Sequence, residues 1–183
     1  MTDTLEATNA TRNDRVKVWD PAVRVFHWSL MTAFAVAYFT ADDAGVVHQW
    51  SGYAALALVA FRLLWGVIGT RHARFSDFVP RPAKLADYVR RMIRGLEPRY
   101  LGHNPAAAIM ILFLSLATAV IGVSGWLLTT DWGWGSEVLE EVHETTVNII
   151  LVAIALHVGA AIYESFRHRE NLIRSMFTGY KRR

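Results

Sequence analysis

The sequence predicts an all-α, integral-membrane four-helix bundle with both termini on the cytoplasmic side. Three observations carry this. Of 183 residues, 53% are hydrophobic and only 19% are charged, greasier than an average soluble domain. The apolar residues gather in four blocks, each able to reach the ~20 residues that span a hydrocarbon core. The bases are segregated: of 19 Lys and Arg, 18 lie in residues 1–24, 71–99 and 167–183. The other two connections, 41–47 and 129–142, hold Asp42, Asp43, Asp131, Glu137, Glu140 and Glu141 and no base. By the positive-inside rule, both termini and the middle loop are cytoplasmic. The formal net charge of +3 then reflects topology, and no nucleic-acid partner is expected.

Each element has its own signal. Residues 1–15 are polar and mixed in charge. No small-residue cleavage site follows a short apolar core there, so the first apolar segment is expected to stay as an anchor. A single membrane domain is expected over 16–180. Asp20-Pro21 reads as an N-cap with proline at the first helical position, opening a helix over about 21–40. The connection 41–47 is short, so the second helix, about 47–69, is an antiparallel neighbour. Asn104-Pro105 repeats the cap-plus-proline signal for a third helix over about 105–130. The turn Asp131-Trp132-Gly133-Trp134-Gly135 suits the outer interface, where Trp is enriched. The fourth helix is expected over 137–166. In the middle loop, Leu85, Tyr88, Val89, Met92, Ile93 and Leu96 recur at helical spacing among Lys84, Arg90, Arg91 and Arg94. This marks an amphipathic segment over about 82–97, lying on the inner leaflet or serving as a solvated connecting helix.

Histidines supply the chemistry. His27, His48, His143 and His157 sit within or at the ends of the apolar segments, and an ionisable side chain at membrane depth usually has a function. His143 and His157 are fourteen residues apart on one helix. At 100° per residue they share a face, and they are separated by about 21 Å of rise. The first helix runs outward, so His27 is near the cytoplasm. The second runs inward, so His48 is near the outside. The depths match pairwise: His27 with His157 for an inner haem iron, and His48 with His143 for an outer one. Facing helices of a bundle can supply two axial ligands to one haem. There is no cysteine, which excludes thiolate-held clusters and covalent C-x-x-C-H attachment. The expectation is two non-covalent haem b groups. His72, His103 and His168 lie in basic loops and are assigned no iron.

Arg62 stands fourteen residues after His48 on the same helix, at the depth of the inner pair. A charged Arg there needs a partner, and a haem propionate is a suitable bidentate acceptor. Arg24, three residues before His27, is placed to reach the same group. Snorkelling or a pair with Glu164 are the alternatives for Arg62. Gly122, Ser124 and Gly125 on the third helix permit close approach, either of a flat macrocycle or of another helix.

Several stretches together resemble the bacterial cytochrome b561 / nickel-hydrogenase b-type cytochrome family. They are Val18-Trp19-Asp20-Pro21-Ala22-Val23-Arg24-Val25-Phe26-His27-Trp28, His48-Gln49-Trp50-Ser51-Gly52-Tyr53, Arg62-Leu63-Leu64-Trp65-Gly66, Gly102-His103-Asn104-Pro105, and His143-Glu144 followed by His157. The resemblance implies a di-haem b cytochrome of the inner membrane. Such a protein exchanges electrons between the quinone pool and a periplasmic or membrane-associated redox protein: a c-type cytochrome, a hydrogenase or another dehydrogenase. It would be an electron-transfer subunit of a quinone-linked oxidoreductase, in contact with membrane lipid and able to pair with itself or join a larger complex. In such proteins the four matching histidines are the haem ligands.

Two other readings stay open at this point. One keeps the fold and makes superoxide the electron donor to quinone; the acidic outer connections argue against it, since an anion is steered by bases. The other makes the histidines a direct metal-binding or transport site, which the lack of carboxylates beside them weakens.

Overall fold

The computed structural model describes residues 15–42 and 45–183. Residues 1–14, most of the polar N-terminal segment, and Asp43 of the acidic connection lie outside the described residues. The chain runs β1 (Arg15–Lys17), α1 (Pro21–Phe39), α2 (Val46–Ile68), a 3-10 turn (Arg71–Ala73), α3 (Phe75–Phe78), α4 (Pro82–Ile93), α5 (Pro105–Leu128), α6 (Glu137–Arg167), α7 (Leu172–Thr178) and β2 (Tyr180–Arg182). Four of these, α1, α2, α5 and α6, are long and apolar enough to cross a membrane.

Local chemistry sets the helix ends. Asp20 is extended and its side chain accepts from Val23 N at 2.9 Å, with Pro21 opening α1. Asn104 accepts from Ala107 N at 2.7 Å before Pro105. Both are N-caps that satisfy an orphan backbone donor. α5 stops two residues short of the expected boundary. Hydroxyls of Thr129 and Thr130 take the carbonyls of Trp126 and Leu127 at 2.7 and 2.6 Å, closing the helix end. α4 ends at Ile93, not near 97. Gly95 adopts φ +65°, Gly95 N donates to Met92 O and Leu96 N to Arg91 O. That pair of bonds around a left-handed glycine is a Schellman stop.

The spanning helices pack in the order α1–α2–α5–α6. Among the described residues, α1 and α6, which bear His27 and His157, are not a closely packed pair. The packed seams use small or branched residues: Ala55 and Val59 on α2, Ala108 and Ala117 on α5, Ile150 and Ala153 on α6. Gly122 sits on such a seam, where a Cβ would stand 3.0 Å from Leu56. Large apolar side chains point outward instead, Phe39 and Phe166 at 81% exposure among them. In water that surface would be costly; in lipid it is the solvated face.

One end of the bundle is capped. β1 and β2 pair antiparallel, Val16 opposite Lys181, tying the beginning of the domain to its end. Val18 N and Trp19 N both donate to Gly179 O, and Trp19 Nε1 donates to Ser175 Oγ at 3.2 Å. Gly179 has φ +87°, and a Cβ there would meet Trp19 O at 2.7 Å, so only glycine suits this turn. Two ion pairs join the loop after α4 to the end of α6. They are Arg167 with Glu97, whose carboxylate side chain is 0% exposed, and Arg99 with Glu170. The amphipathic α4 turns Leu85, Tyr88, Val89 and Met92 inward and leaves Lys84, Arg90, Arg91 and Arg94 exposed.

Candidate functional site

At the far end, His48 at the start of α2 and His143 on α6 face one another. Their ring centres are 6.2 Å apart and the planes are inclined at 63°. Both Nδ1 atoms are engaged. His48 Nδ1 donates to the carbonyl of Ala37 at 2.8 Å, in the last turn of α1, where carbonyls lack a backbone partner within the helix. His143 Nδ1 donates to Ser124 Oγ at 3.1 Å, while that hydroxyl donates onward to Val120 O at 2.8 Å. A ring whose Nδ1–H is held this way presents an Nε2 lone pair, the arrangement that orients a metal-ligating histidine. An imidazole nitrogen ligates a first-row metal at about 2 Å, and with the ring centre roughly 1 Å behind it two rings on one ion stand about 6 Å apart. The His48–His143 separation fits that requirement.

Space is also provided. Gly52 lies one turn beyond His48 on the same face, and the volume its Cβ would enter is open. Gly125 does the opposite: a Cβ there would be 2.9 Å from His143 Cε1. So Gly125 admits the His143 ring, Ser124 holds it, and Gly122 seats α5 on α2. The three small residues have three different tasks. Nothing in the linear sequence pairs Ser124 with His143; only the packing of α5 on α6 does.

Toward the capped end, His27 of α1 and His157 of α6 are near enough for a charge on one to be felt by the other. His27 Nδ1 is buried without a hydrogen-bond partner. Arg62 is 2% exposed. Its guanidinium lies over the rings of Phe75 and Phe78, 5.0 and 5.7 Å from their centres, and Nη1 has no partner. The rings come this close because Phe75 packs on Gly66, one turn after Arg62. Glu164, the alternative partner, is engaged by Tyr88, Asn104 and His168. Arg24 turns away from that region: its Nε donates to Met176 O at 3.3 Å, and Nη2 to Phe177 O. It therefore serves as a cationic cap on the C-terminal carbonyls of α7, and the structure does not bring Arg24 and Arg62 together on one group.

Around the capped end the sequence concealed an aromatic and charged layer. His103 packs between Trp19 and Phe78, with ring centres 4.6 and 5.0 Å away. Burial, reinforced by the charges of Arg62 and Lys181, depresses its pKa to about 3, so it is neutral. Lys181 lies over Trp19 at 5.4 Å, and burial lowers its pKa. Burial alone would raise Asp20. Hydrogen bonds from Thr70, the Val23 amide and Trp65 outweigh it, and the carboxyl stays below its ordinary value. Trp65 Nε1 to Asp20 spans 3.2 Å, so this one cap also fastens α1 to the end of α2. Among the described residues, no group of three or more His, Cys, Asp or Glu side chains is arranged to hold a metal ion; the histidines come in pairs.

The family model for prokaryotic cytochrome b561 matches residues 18–179. Similar curated proteins include the "Probable Ni/Fe-hydrogenase B-type cytochrome subunit" of Rhodobacter capsulatus, 26% identical over 93% of this chain and 82% of that protein. Its namesakes from Rhizobium leguminosarum bv. viciae and Bradyrhizobium diazoefficiens are each 23% identical. The first is matched over 93% of this chain and 90% of that protein, the second over 90% and 85%. No solved structure matches significantly. A match over nearly the whole domain, on four spanning helices with histidines at two depths, places the chain in the prokaryotic cytochrome b561 family as a multi-pass electron-transfer protein of the bacterial inner membrane that takes b-type haem.

Proposed function

We propose that this cytochrome holds two haem b groups, one between His48 and His143 and one between His27 and His157, and conducts electrons between a periplasmic redox protein and membrane quinone. The observation that carries the reading is the His48–His143 pair: ring centres 6.2 Å apart, each Nδ1 held by its own acceptor. At the second site, His27 Nδ1 is buried without a partner and Arg62 lies buried with Nη1 unpaired. The bases clustered at the capped end favour a cytoplasmic position for it by the positive-inside rule, which leaves His48 and His143 toward the periplasm. The relatives' names make a nickel–iron hydrogenase the first partner to test. Carboxylates Asp131, Glu137, Glu140 and Glu141 near His143 would steer a partner with a basic docking patch.

When bound, haem supplies reversible one-electron chemistry at iron. The chain does the rest. Ala37 and Ser124 fix the ring tautomers at the outer site. Four helices long and apolar enough to cross a membrane carry the sites. Arg62, buried and short of an acceptor on Nη1, offers a positive charge to the inner haem's carboxylates. His27 and His157 would hold the inner haem, from which quinone would exchange electrons.

A reduced-minus-oxidised spectrum of detergent-purified protein, with haem quantified per chain, tests the reading. Sharp b-type bands at two haems per chain are expected; one haem removes one of the pairs. A colourless protein with bound zinc would replace the reading with direct metal binding. Arg62→Leu is expected to lower the inner haem's midpoint potential and leave the outer one nearly unchanged. Losing a positive charge favours the oxidised iron. A unit charge about 10 Å away at an effective dielectric of about 20 is worth ~1.7 kcal/mol, on the order of 70 mV for a one-electron couple. Redox titration of the variant checks this, and equal shifts at both haems would remove Arg62 from the inner site.

A further inference from the structure

We infer that Glu164 and His168 form a proton relay joining the cytoplasm to the quinone that reacts at the inner haem; this rests on the quinone reading above. The observation is a polar ladder on one face of α6. His157, Glu164 and His168 are separated by seven and four residues. At 100° per residue all three lie within about 40° of one another, and Glu164 stands about 10 Å beyond His157 along the helix. Glu164 is the junction. Its Oε1 accepts from Tyr88 Oη of α4 and from Asn104 Nδ2, the N-cap of α5, each at 3.3 Å. Its Oε2 lies 3.0 Å from His168 Nε2, a buried nitrogen that is in ion-pair contact with it but makes no hydrogen bond.

Three elements thus converge on one carboxylate that is mostly out of solvent, at 14% side-chain exposure. His168, at 18%, stands between it and the end of the helix. A carboxylate placed only to anchor helices has no need of a second titratable group one turn closer to water. Other titratable groups lie near this junction. Lys181 from β2 is close enough for Glu164 to influence its charge. The neutral His103 precedes Asn104. Glu97, paired with Arg167, feels the charge of His168. Tyr88 is an unsuitable carrier: burial and the nearby Glu164 push its pKa well above its ordinary value, so it holds its proton and orients the carboxylate.

The balance is simple. Oxidation of a quinol to quinone releases two electrons and two protons. The two electrons would be taken up one at a time by the haem that His27 and His157 would hold. Each proton leaves a quinol hydroxyl oxygen and reaches the Glu164 carboxylate; His168 takes it on Nε2 and gives up the proton on Nδ1 to water. The reverse direction carries protons inward. Proton transfer to a positioned side chain contributes about 100-fold or more to such steps.

Duroquinol-driven reduction of the haems, followed by stopped flow across pH, tests the relay in the purified holoprotein. Reduction by dithionite, which needs no proton release from a quinol, is the control. Glu164→Gln is expected to slow duroquinol-driven reduction about 100-fold and to remove its pH dependence, with dithionite reduction and haem content unchanged. Glu164→Asp should recover part of the rate. His168→Gln should give a smaller loss in the same direction. Tyr88→Phe should stay near the wild-type rate. Glu164→Gln at the wild-type rate overturns the relay. So does a Tyr88→Phe loss as large as that of Glu164→Gln, which would mark the cluster as an anchor. A wild-type protein that duroquinol cannot reduce, though dithionite can, fails the quinone reading itself and takes the relay with it.

Discussion

Alanine in place of His157 is expected to halve the haem content of the purified protein while the outer haem keeps its b-type spectrum. A haem held without covalent bonds depends on two axial nitrogens and on the fit of its pocket. Removing one nitrogen at the inner site leaves His27 alone, and His27 has no partner on its buried Nδ1 to hold its ring. The outer site is insulated from this change. His143 lies fourteen residues away on the same helix, about 21 Å in rise. Its ring is fixed by Ser124 and not by anything near His157. Haem binds only the folded chain, so its loss also lowers the midpoint of thermal unfolding, by the linkage that ties ligand affinity to stability. Pyridine haemochrome assay per chain, with the reduced-minus-oxidised spectrum, reads the result. His103→Ala is the matched control: it removes a buried imidazole of the same end and is expected to keep both haems. Loss of both haems from His157→Ala would mean that the two sites fold as one unit; loss of neither would break the pairing of His27 with His157.

The four spans were legible because their signals are local. Asp20-Pro21 and Asn104-Pro105 predict helix starts, and both caps form as read. The end of α4 was equally local: Gly95 was the stop, and the apolar spacing of Leu96 masked it. The capped end was illegible for a different reason. β1 and β2 are three residues each and lie more than 160 residues apart, so neither has enough periodicity to register as a strand. α7 is a seven-residue helix with its own Asn171 cap and Gly179 stop, short enough to pass for a tail. The histidine depths followed from direction and rise alone. The partners of those histidines did not, since Ala37 O and Ser124 Oγ reach the His48 and His143 rings only when α1 meets α2 and α5 meets α6. Arg24 shows the limit of proximity in sequence. Three residues from His27, it spends its donors on α7 carbonyls that no local pattern foretells.

Gly125→Val is the substitution expected to do most damage from outside the ligand set. A Cβ at this position comes 2.9 Å from His143 Cε1 and 3.3 Å from its Nδ1, closer than unstrained atoms approach. Valine adds two methyl groups on a stiff χ1, so the histidine ring has to swing and its bond to Ser124 Oγ is broken. The ring then loses both its position and the acceptor that fixes its tautomer, and losses of that kind typically cost 10–100-fold in metal affinity. The expected result is a protein with the inner haem present and the outer haem depleted, the mirror image of His157→Ala. Gly122→Val separates this from general damage to α5. There the three nearest atoms all belong to Leu56, the first at 3.0 Å from the added Cβ. Overpacking at such a seam costs about 1–3 kcal/mol, a loss of thermal stability with haem stoichiometry kept. If both valine variants bind haem alike, the outer ligand is not the ring that Gly125 shelters, and the His48–His143 site has to be given up.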